Sequence, residues 1–302
     1  PYKKQSEHFA LGKTKRERLF MAGNQLGKSD AGAVETAYHL TGDYPDDWKG
    51  RVWRKAVEAW AAGETSLVVR DVQPAKLVGK PGVTEEFGTG YIPKDRIVDV
   101  SNSRSAPDAI DTIQVKHKSG GISTLSFKSY EQGRTKFQGG TKDFIWLDEE
   151  PNMAIYQECL TRVTATRGMV FVTFTPLLGK SDVVIRYMEE HSPDRVYTQM
   201  TIDDVAQEPH GHITPEDRDM IVAGYLEHER EARALLAQCF QKKGFLDLAR
   251  KEYERALGDG RDLDLRAKEI LYHLASIAVI EGDSAQARTL YARIYEVDVG
   301  FR

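Results

Sequence analysis

The chain has 302 residues, of which 40% are hydrophobic and 29% are charged. This length and composition are typical of a globular protein with room for two domains. Its net charge of −4 disfavours a protein whose whole surface binds nucleic acid. Any DNA contact is therefore expected at a local patch or around an oligomer.

Neither the cysteines nor the apolar runs indicate export or a membrane span. The two cysteines, Cys159 and Cys239, make no disulfide framework and no zinc signature. No apolar run approaches the ~20 residues that a membrane helix needs, and no apolar stretch follows the first residues as in a secretory signal. We therefore expect a protein of the reducing cytosol.

The chain opens with a predicted strand, a glycine-containing loop and a helix. A partly apolar run at residues 18–21 predicts the strand, and the apolar spacing from Ala31 to Leu40 predicts a helix that ends at Thr41-Gly42. Three further elements follow: a strand at residues 55–61, a helix at residues 64–77 interrupted near Pro74, and a loop rich in Gly, Pro and Ser at residues 80–107.

The middle of the chain is rich in strand patterns. Residues 113–117 and 123–130 predict a β-hairpin around Ser119-Gly120-Gly121. Residues 144–147 and 169–173 are continuous apolar strands, which suit a sheet covered on both faces. The predicted fold class is α/β with a mostly parallel central sheet.

The loop after the first strand has the pattern of a phosphate loop. Ala22-Gly23-Asn24-Gln25-Leu26-Gly27-Lys28-Ser29 fits G-x-x-x-x-G-K-[ST], except that Ala22 replaces the first glycine. Backbone N–H groups of such a loop hold phosphate oxygens at the start of the following helix. Lys28 would reach the β and γ phosphates, and Ser29 would bind Mg²⁺. The alternative is a chance Gly-Lys-Ser at a helix start.

An acidic pair ends the strand at residues 144–147. Asp148 can hold Mg²⁺ directly or through water, and Glu149 can act as the general base on the attacking water. The alternative is a strand that runs into an acidic turn. Because the pair follows a phosphate loop in the same α/β segment, both motifs together predict a P-loop ATPase that uses ATP and Mg²⁺.

A hydroxyl motif ends the next strand. Thr173-Phe174-Thr175-Pro176 places hydroxyl groups where they could sense the γ phosphate. From the residues alone, a hydroxyl that caps a turn before proline is the favoured interpretation.

These three motifs, in this order, resemble the ATPase domain of the large terminase subunit of tailed phages, of the headful-packaging type. The resemblance covers roughly the first three quarters of the chain. It is carried by residues 22–29, Gly63-Glu64-Thr65, Gln132-Gly133-Arg134, Gln138-Gly139, residues 146–151, residues 173–177, Ser181-Asp182-Val183-Val184 and residues 225–234.

The resemblance implies a motor that pumps double-stranded DNA into a procapsid in the host cytoplasm. It implies a ring of subunits on the portal protein, with the small terminase subunit as a partner. It places nucleotide against residues 22–29, with Thr173 and Thr175 as the motif that couples hydrolysis to movement, Ser29 and Asp148 on Mg²⁺, and Glu149 as base.

The resemblance also implies an arginine supplied by a neighbouring subunit. Many terminases carry Arg-Gly shortly before the acidic strand, where this chain has Gln138-Gly139. Arg134 is therefore the candidate catalytic arginine. The alternative is a solvated loop arginine.

From about residue 229 the strand patterns stop and helical patterns continue to residue 302. We predict a motor domain at residues 1–234 and a helical domain at residues 235–302. A full large terminase continues into a nuclease domain with metal-binding carboxylates on strand ends. Asp259, Asp262 and Asp264 are better interpreted as loop charges, so we predict no nuclease activity.

The helical tail resembles a pair of tetratricopeptide repeats. Two sets of small and large residues recur at similar spacing, around Ala249 and Tyr253 and again around Ala287 and Tyr291. The alternative is an ordinary helical hairpin. A natural fusion, an assembly join and an artificial chimera all remain open as its origin.

Two competing functions stay open at this stage. A helicase would need arginine-bearing motifs in a second motor domain, which are not visible. An inert P-loop fold that carries a helical interaction module is the second alternative.

Overall fold

The computed structural model describes residues 1–103, 109–175, 181–258, 263–298 and 300. The chain divides into two compact units, Pro1–Ile213 and Thr214–Arg302. The boundary that the sequence predicts at residue 234 lies within a helix of the second unit, Pro215–Lys242.

The first unit is built from alternating strands and helices. Its strands are β1 (Glu17–Ala22), β2 (Glu58–Gly63), β3 (Ile97–Asn102), β4 (Ile110–Lys116), β5 (Ile122–Ser129), β6 (Phe144–Asp148), β7 (Met169–Phe174) and β8 (Arg195–Met200). Its helices are α1 (Lys3–Leu11), α2 (Lys28–Thr41), α3 (Ser66–Asp71), α4 (Gln73–Val78), α5 (Met153–Thr164), α6 (Asp182–Met188) and α7 (Ile202–Ala206). Short 3₁₀ turns cover Thr84–Glu86, Lys94–Arg96, Tyr130–Gln132 and Arg134–Phe137.

The eight strands form one sheet in the order β3-β4-β5-β2-β6-β7-β1-β8. All pairs from β5 to β8 along this order are parallel, whereas the pairs β3-β4 and β4-β5 are antiparallel. Every residue of β6 and β7 is buried, because hydrophobic clusters cover both faces of the sheet. The predicted α/β class with a mostly parallel sheet is confirmed.

The prediction of a loop throughout residues 80–107 was wrong. Residues Ile97–Asn102 form β3, which pairs with β4 at the edge of the sheet with two register irregularities. Its side chains are exposed or half-buried, so the strand lacks the apolar pattern of the central strands. The strand β8 at the other edge was also not predicted from the sequence, and there Thr198 and Met200 are the buried residues.

The helix predicted at residues 64–77 is two helices. α3 ends at Asp71 and α4 begins at Gln73, with Pro74 in the first turn of α4. Proline fits that position because its missing N–H has no partner in the first turn of a helix.

The second unit is helical throughout its described residues. It consists of α8 (Pro215–Lys242), α9 (Leu246–Leu257), α10 (Leu265–Ile280) and α11 (Ser284–Val297). Small residues such as Ala237 and Ala249 are buried, together with Tyr253 and Leu274, whereas Tyr291 of the second predicted repeat is exposed. Among the described residues, no helix is long and apolar enough to cross a membrane.

Of the three tail acids, Asp264 has a structural role. Its carboxylate accepts a hydrogen bond from the Ala267 N–H at 2.7 Å and thereby caps α10. It also pairs with Arg230 at 2.6 Å. Asp259 and Asp262 lie outside the described residues.

Close packing fixes α2 against β6. A Cβ added at Gly32, in the first turns of α2, would overlap the indole of Trp146. The indole Nε1 donates to Thr173 Oγ1 at 2.8 Å, so the same contact orients a side chain on β7.

We predict that Gly32→Ala destabilises the first unit by about 1–3 kcal/mol through overpacking, although alanine favours a helix by up to ~1 kcal/mol. Urea unfolding followed by tryptophan fluorescence measures the free energy of unfolding of this unit, because all four tryptophans lie in it. Gly224→Ala, in the second unit with nothing within 4 Å of the added Cβ, should leave this tryptophan transition unchanged. In a Trp146→Phe background the cost of Gly32→Ala should shrink, and strictly additive costs would contradict the prediction.

Candidate nucleotide site

The predicted phosphate loop, residues 22–29, connects the end of β1 to the start of α2. Gly27 has φ +84 and Gln25 has φ +61, so the chain turns sharply before the helix. The Gly27 carbonyl accepts a hydrogen bond from Gln5 Nε2 of α1 at 2.9 Å. Lys28 follows and is buried, with 8% of its surface exposed. The loop therefore ends in a left-handed glycine directly before α2, so Lys28 and Ser29 lie in the first turn of that helix.

The sheet order brings the three predicted motifs to one edge. β7 lies between β1 and β6, and all three strands are parallel, so their carboxyl ends lie side by side. Asp148 Oδ1 accepts hydrogen bonds from Ser29 Oγ at 3.1 Å and from Thr173 Oγ1 at 2.6 Å. One carboxylate oxygen thus joins the phosphate loop, the acidic strand end and the hydroxyl motif.

Burial changes the acidity of Asp148. Desolvation is the largest effect and raises the pKa of this carboxyl to about 6, with a smaller contribution from the charge of Glu149. The hydroxyl groups of Thr173 and Ser29 and the ammonium of Lys28 oppose that rise. The carboxylate is therefore a poorly solvated anion beside the phosphate loop, which favours binding of a cation.

Glu149 is held in an uncommon backbone conformation. Its φ is +66, in the left-handed region that residues other than glycine rarely adopt. Its N–H donates to the Thr173 carbonyl at 2.8 Å, and its carbonyl accepts from the Tyr130 hydroxyl at 2.9 Å. Its carboxylate Oε1 lies 3.6 Å from Lys28 Nζ, and a third of the side chain is exposed. This glutamate is therefore open to solvent next to the loop lysine.

Two neighbouring side chains support the loop and the strand end. Thr175 Oγ1 donates to the Ala22 carbonyl at 2.9 Å and lies 3.1 Å from Asn24 Oδ1, so it ties the end of β7 to the phosphate loop. Glu150 accepts a hydrogen bond from Ser181, the residue that caps α6. Pro176 and Leu177 lie outside the described residues.

Arg134 stands apart from these residues within the chain. Its Nε lies 3.1 Å from Glu158 Oε2 of α5, and 60% of its side chain is exposed. Arg162 pairs with the same glutamate at 3.1 Å.

Sequence reasoning missed several residues around the loop. Tyr130 and Gln5 contact the site, but each has the pattern of an ordinary core or helix residue in the sequence. His212 Nε2 lies 2.7 Å from the Gln25 carbonyl, and its Nδ1 lies 2.5 Å from the Tyr2 hydroxyl. These contacts join the start of the chain to residue 212, and no local pattern indicates such a distant pairing.

A cavity of about 580 Å³ opens beside the loop. It is lined by Tyr2, Gln5, Gln25, Gly27, Asp30, Glu208 and His212, among others. Its lining combines aromatic rings with amide and carboxylate groups next to Gly27, the glycine that precedes α2.

We predict that Asp148→Asn stabilises the ligand-free chain by about 1–3 kcal/mol at pH 7.5. The folded pKa of about 6 lies above the ordinary 3.8. The unfavourable contribution of the carboxylate is therefore fully present above pH 6 and disappears as the pH falls to 4. Urea unfolding across this range measures the difference between the variant and the wild type.

Asp143→Asn is the control, because Asp143 is also buried but binds the Glu58 N–H and Lys55. That variant should lose stability. An Asp148→Asn chain that is less stable than the wild type at pH 7.5 would contradict the prediction.

Comparison with known proteins identifies the family. Residues 19–244 match the family described as terminase large subunit, T4likevirus-type, N-terminal. The terminase large subunit of Salmonella phage P22 is 41% identical over 251 residues, which covers 78% of this chain and 49% of that protein. The terminase large subunit of Enterobacteria phage LP7 is 38% identical over 96 residues, 32% of this chain and 19% of that protein.

Among solved structures, the chain is similar to the large terminase of a thermophilic bacteriophage in complex with ADP. The TM-score is 0.49 at 12% identity, over 70% of this chain and 48% of that one. The chain spans about half the length of the P22 protein. The resemblance predicted from the three motifs is confirmed, and the chain belongs to the N-terminal family of terminase large subunits.

Proposed function

We propose that this chain hydrolyses ATP to drive double-stranded DNA into a phage procapsid. The observation that carries the proposal is the Asp148 carboxylate, which is bound by Ser29 and Thr173 beside the pair of Lys28 and Glu149. Membership of the terminase family supports DNA packaging as the purpose of the hydrolysis.

The donor set at the loop fits Mg²⁺ and a nucleotide. Mg²⁺ prefers oxygen ligands and is usually held by one or two protein groups together with substrate phosphates. Ser29 Oγ and Asp148 Oδ1 lie 3.1 Å apart and would supply those oxygens. A bound Mg²⁺ ion would neutralise charge on the phosphates.

Lys28 would bind the phosphates, and Glu149 would act on the attacking water. Lys28 is buried at the start of α2 and would bind the β and γ phosphate oxygens. Phosphate oxygens bound to the Lys28 ammonium would replace Glu149 as its partner and break the ion pair, in which Lys28 Nζ lies 3.6 Å from Glu149 Oε1. The Glu149 carboxylate would then orient the attacking water and accept its proton.

The cavity beside the loop would take the base and sugar of the nucleotide. Its wall includes Gly27 of the loop, and Tyr2 and Gln5 offer a ring and an amide to a planar base. A nucleotide bound there would therefore contact residues on both sides of β1 in the sequence.

The remaining parts of the proposal follow from the family. We infer a ring of these subunits on the portal protein, with the small terminase subunit and double-stranded DNA as partners in the host cytoplasm. The exposed Arg134 would reach the nucleotide of a neighbouring subunit, since its partner within the chain is Glu158. The competing function is an inert P-loop fold that carries a helical interaction module.

We predict that Glu149→Gln lowers the turnover number for ATP about 10²- to 10⁴-fold and leaves Mg-ATP binding intact. Steady-state hydrolysis with and without double-stranded DNA measures turnover, and calorimetry measures binding. Glu150→Gln is the matched control, because this adjacent acid contacts Ser181, the residue that caps α6. Equal losses in both variants would contradict the role of Glu149. No turnover and no binding by the wild type would favour the inert alternative.

We predict that Arg134→Ala lowers ATP turnover ~10³-fold in procapsid-bound complexes but leaves nucleotide affinity of the isolated chain unchanged. Arg162→Ala is the control, because Arg162 pairs with the same Glu158. Complexes mixed from Arg134→Ala and Glu149→Gln subunits should recover part of the activity. Failure of the mixture to exceed either variant alone would contradict an arginine acting between subunits.

A further inference from the structure

We propose that Tyr130 is a positioning residue that holds the Glu149 backbone in the conformation that directs its carboxylate at the attacking water. Tyr130 follows the end of β5, and its side chain is buried. Its hydroxyl lies 2.9 Å from the Glu149 carbonyl oxygen and 3.2 Å from that of Asp148. The inference rests on the proposed function, because it assigns a role in hydrolysis to a residue outside the motifs.

The contact acts on a part of the site that has an uncommon backbone conformation. Glu149 is a non-glycine residue at φ +66, so surrounding bonds must hold it there. Its N–H is fixed by the Thr173 carbonyl at 2.8 Å, and its carbonyl is fixed by Tyr130. These two bonds grip the peptide groups on either side of the Glu149 Cα atom and thereby set where its carboxylate lies.

The hydroxyl of Tyr130 serves as a donor only while it keeps its proton. Burial, with the nearby charges of Asp148, Glu149 and Glu64, raises the pKa of this phenol well above its ordinary value. One O–H proton is shared between the two carbonyl groups of Asp148 and Glu149, because a phenol offers one donor.

Tyr130 also connects Glu149 to the loop that carries Arg134. It begins the 3₁₀ turn Tyr130–Gln132, and Gly133 at φ +74 leads directly to Arg134. The start of this segment is anchored, because Ser129 Oγ lies 3.0 Å from Ser66 Oγ. A displacement of Arg134 would therefore be transmitted to the Glu149 carbonyl through about four residues of chain and one hydrogen bond.

The packing of the ring allows a clean test. Tyr130 lies in a hydrophobic cluster with Phe137 and Trp60, so phenylalanine can fill the same space. Tyr156→Phe is the matched control. Tyr156 is buried in the same cluster, and its hydroxyl contacts Glu17 at 2.8 Å and Tyr187 at 2.7 Å.

The first measurement is steady-state ATP hydrolysis by the full chain and both variants, with Mg-ATP affinity from calorimetry. Tyr130→Phe should lower kcat about 10- to 100-fold and leave KM and affinity unchanged. Tyr156→Phe should change neither kcat nor KM by more than ~2-fold, on the scale of an ordinary surface or packing change. Equal losses of kcat in the two variants, or a rise in KM without a fall in kcat, would overturn the proposal.

The second measurement is amide hydrogen exchange, which does not depend on turnover. In Tyr130→Phe the Glu149 amide should exchange at least ~10-fold faster, while the amides in the middle of β7 keep their protection. A wild-type chain without ATPase activity would contradict the proposed function, and the exchange rates would still decide the role of Tyr130. Unchanged protection of the Glu149 amide in Tyr130→Phe would overturn the proposed role of Tyr130.

Discussion

The site depends on a single oxygen atom, Oδ1 of Asp148, that accepts hydrogen bonds from two other parts of the chain. Ser29 on α2 and Thr173 on β7 both donate to it, at 3.1 and 2.6 Å. β7 lies between β1 and β6 in this sheet, so the carboxyl ends of the three parallel strands lie side by side, and Ser29 after β1 reaches Asp148 at the end of β6. Gly32 and Trp146 reinforce it, because the indole that fills the space beside Gly32 also orients Thr173.

This arrangement lowers the stability of the ligand-free fold. Asp148 is an acid whose pKa burial raises to about 6, so its charged form is disfavoured in the ligand-free fold at neutral pH. Glu149 occupies a backbone region that costs of order 1–3 kcal/mol for a residue with a side chain. Both costs fall on adjacent residues at the end of one completely buried strand. The hydrophobic clusters on the two faces of the sheet must offset them.

The motifs were predictable from the sequence because each is local. A glycine loop before a helix, a buried strand before Asp148 and another before Thr173 all appear in continuous runs of residues. The supporting contacts could not be predicted, because their partners lie far apart in the sequence. Tyr130 contacts Glu149 across 19 residues, and His212 contacts Gln25 across 187. Edge strands such as β3 were also missed, because their exposed side chains lack the continuous apolar runs of β6 and β7.

Under the proposed function, two ion pairs within the chain would make hydrolysis depend on assembly. Lys28 is paired with Glu149, and Arg134 is paired with Glu158, so both cations that would act on a γ phosphate have a carboxylate partner within the subunit. Under the proposed function, nucleotide would compete for the first pair, because its phosphates would enter the loop beside Lys28. A nucleotide in another subunit can compete for the second only if that subunit lies against the exposed side of Arg134. Hydrolysis would then be slow in a single chain and fast where subunits meet, which suits a motor that must act only at its assembled position.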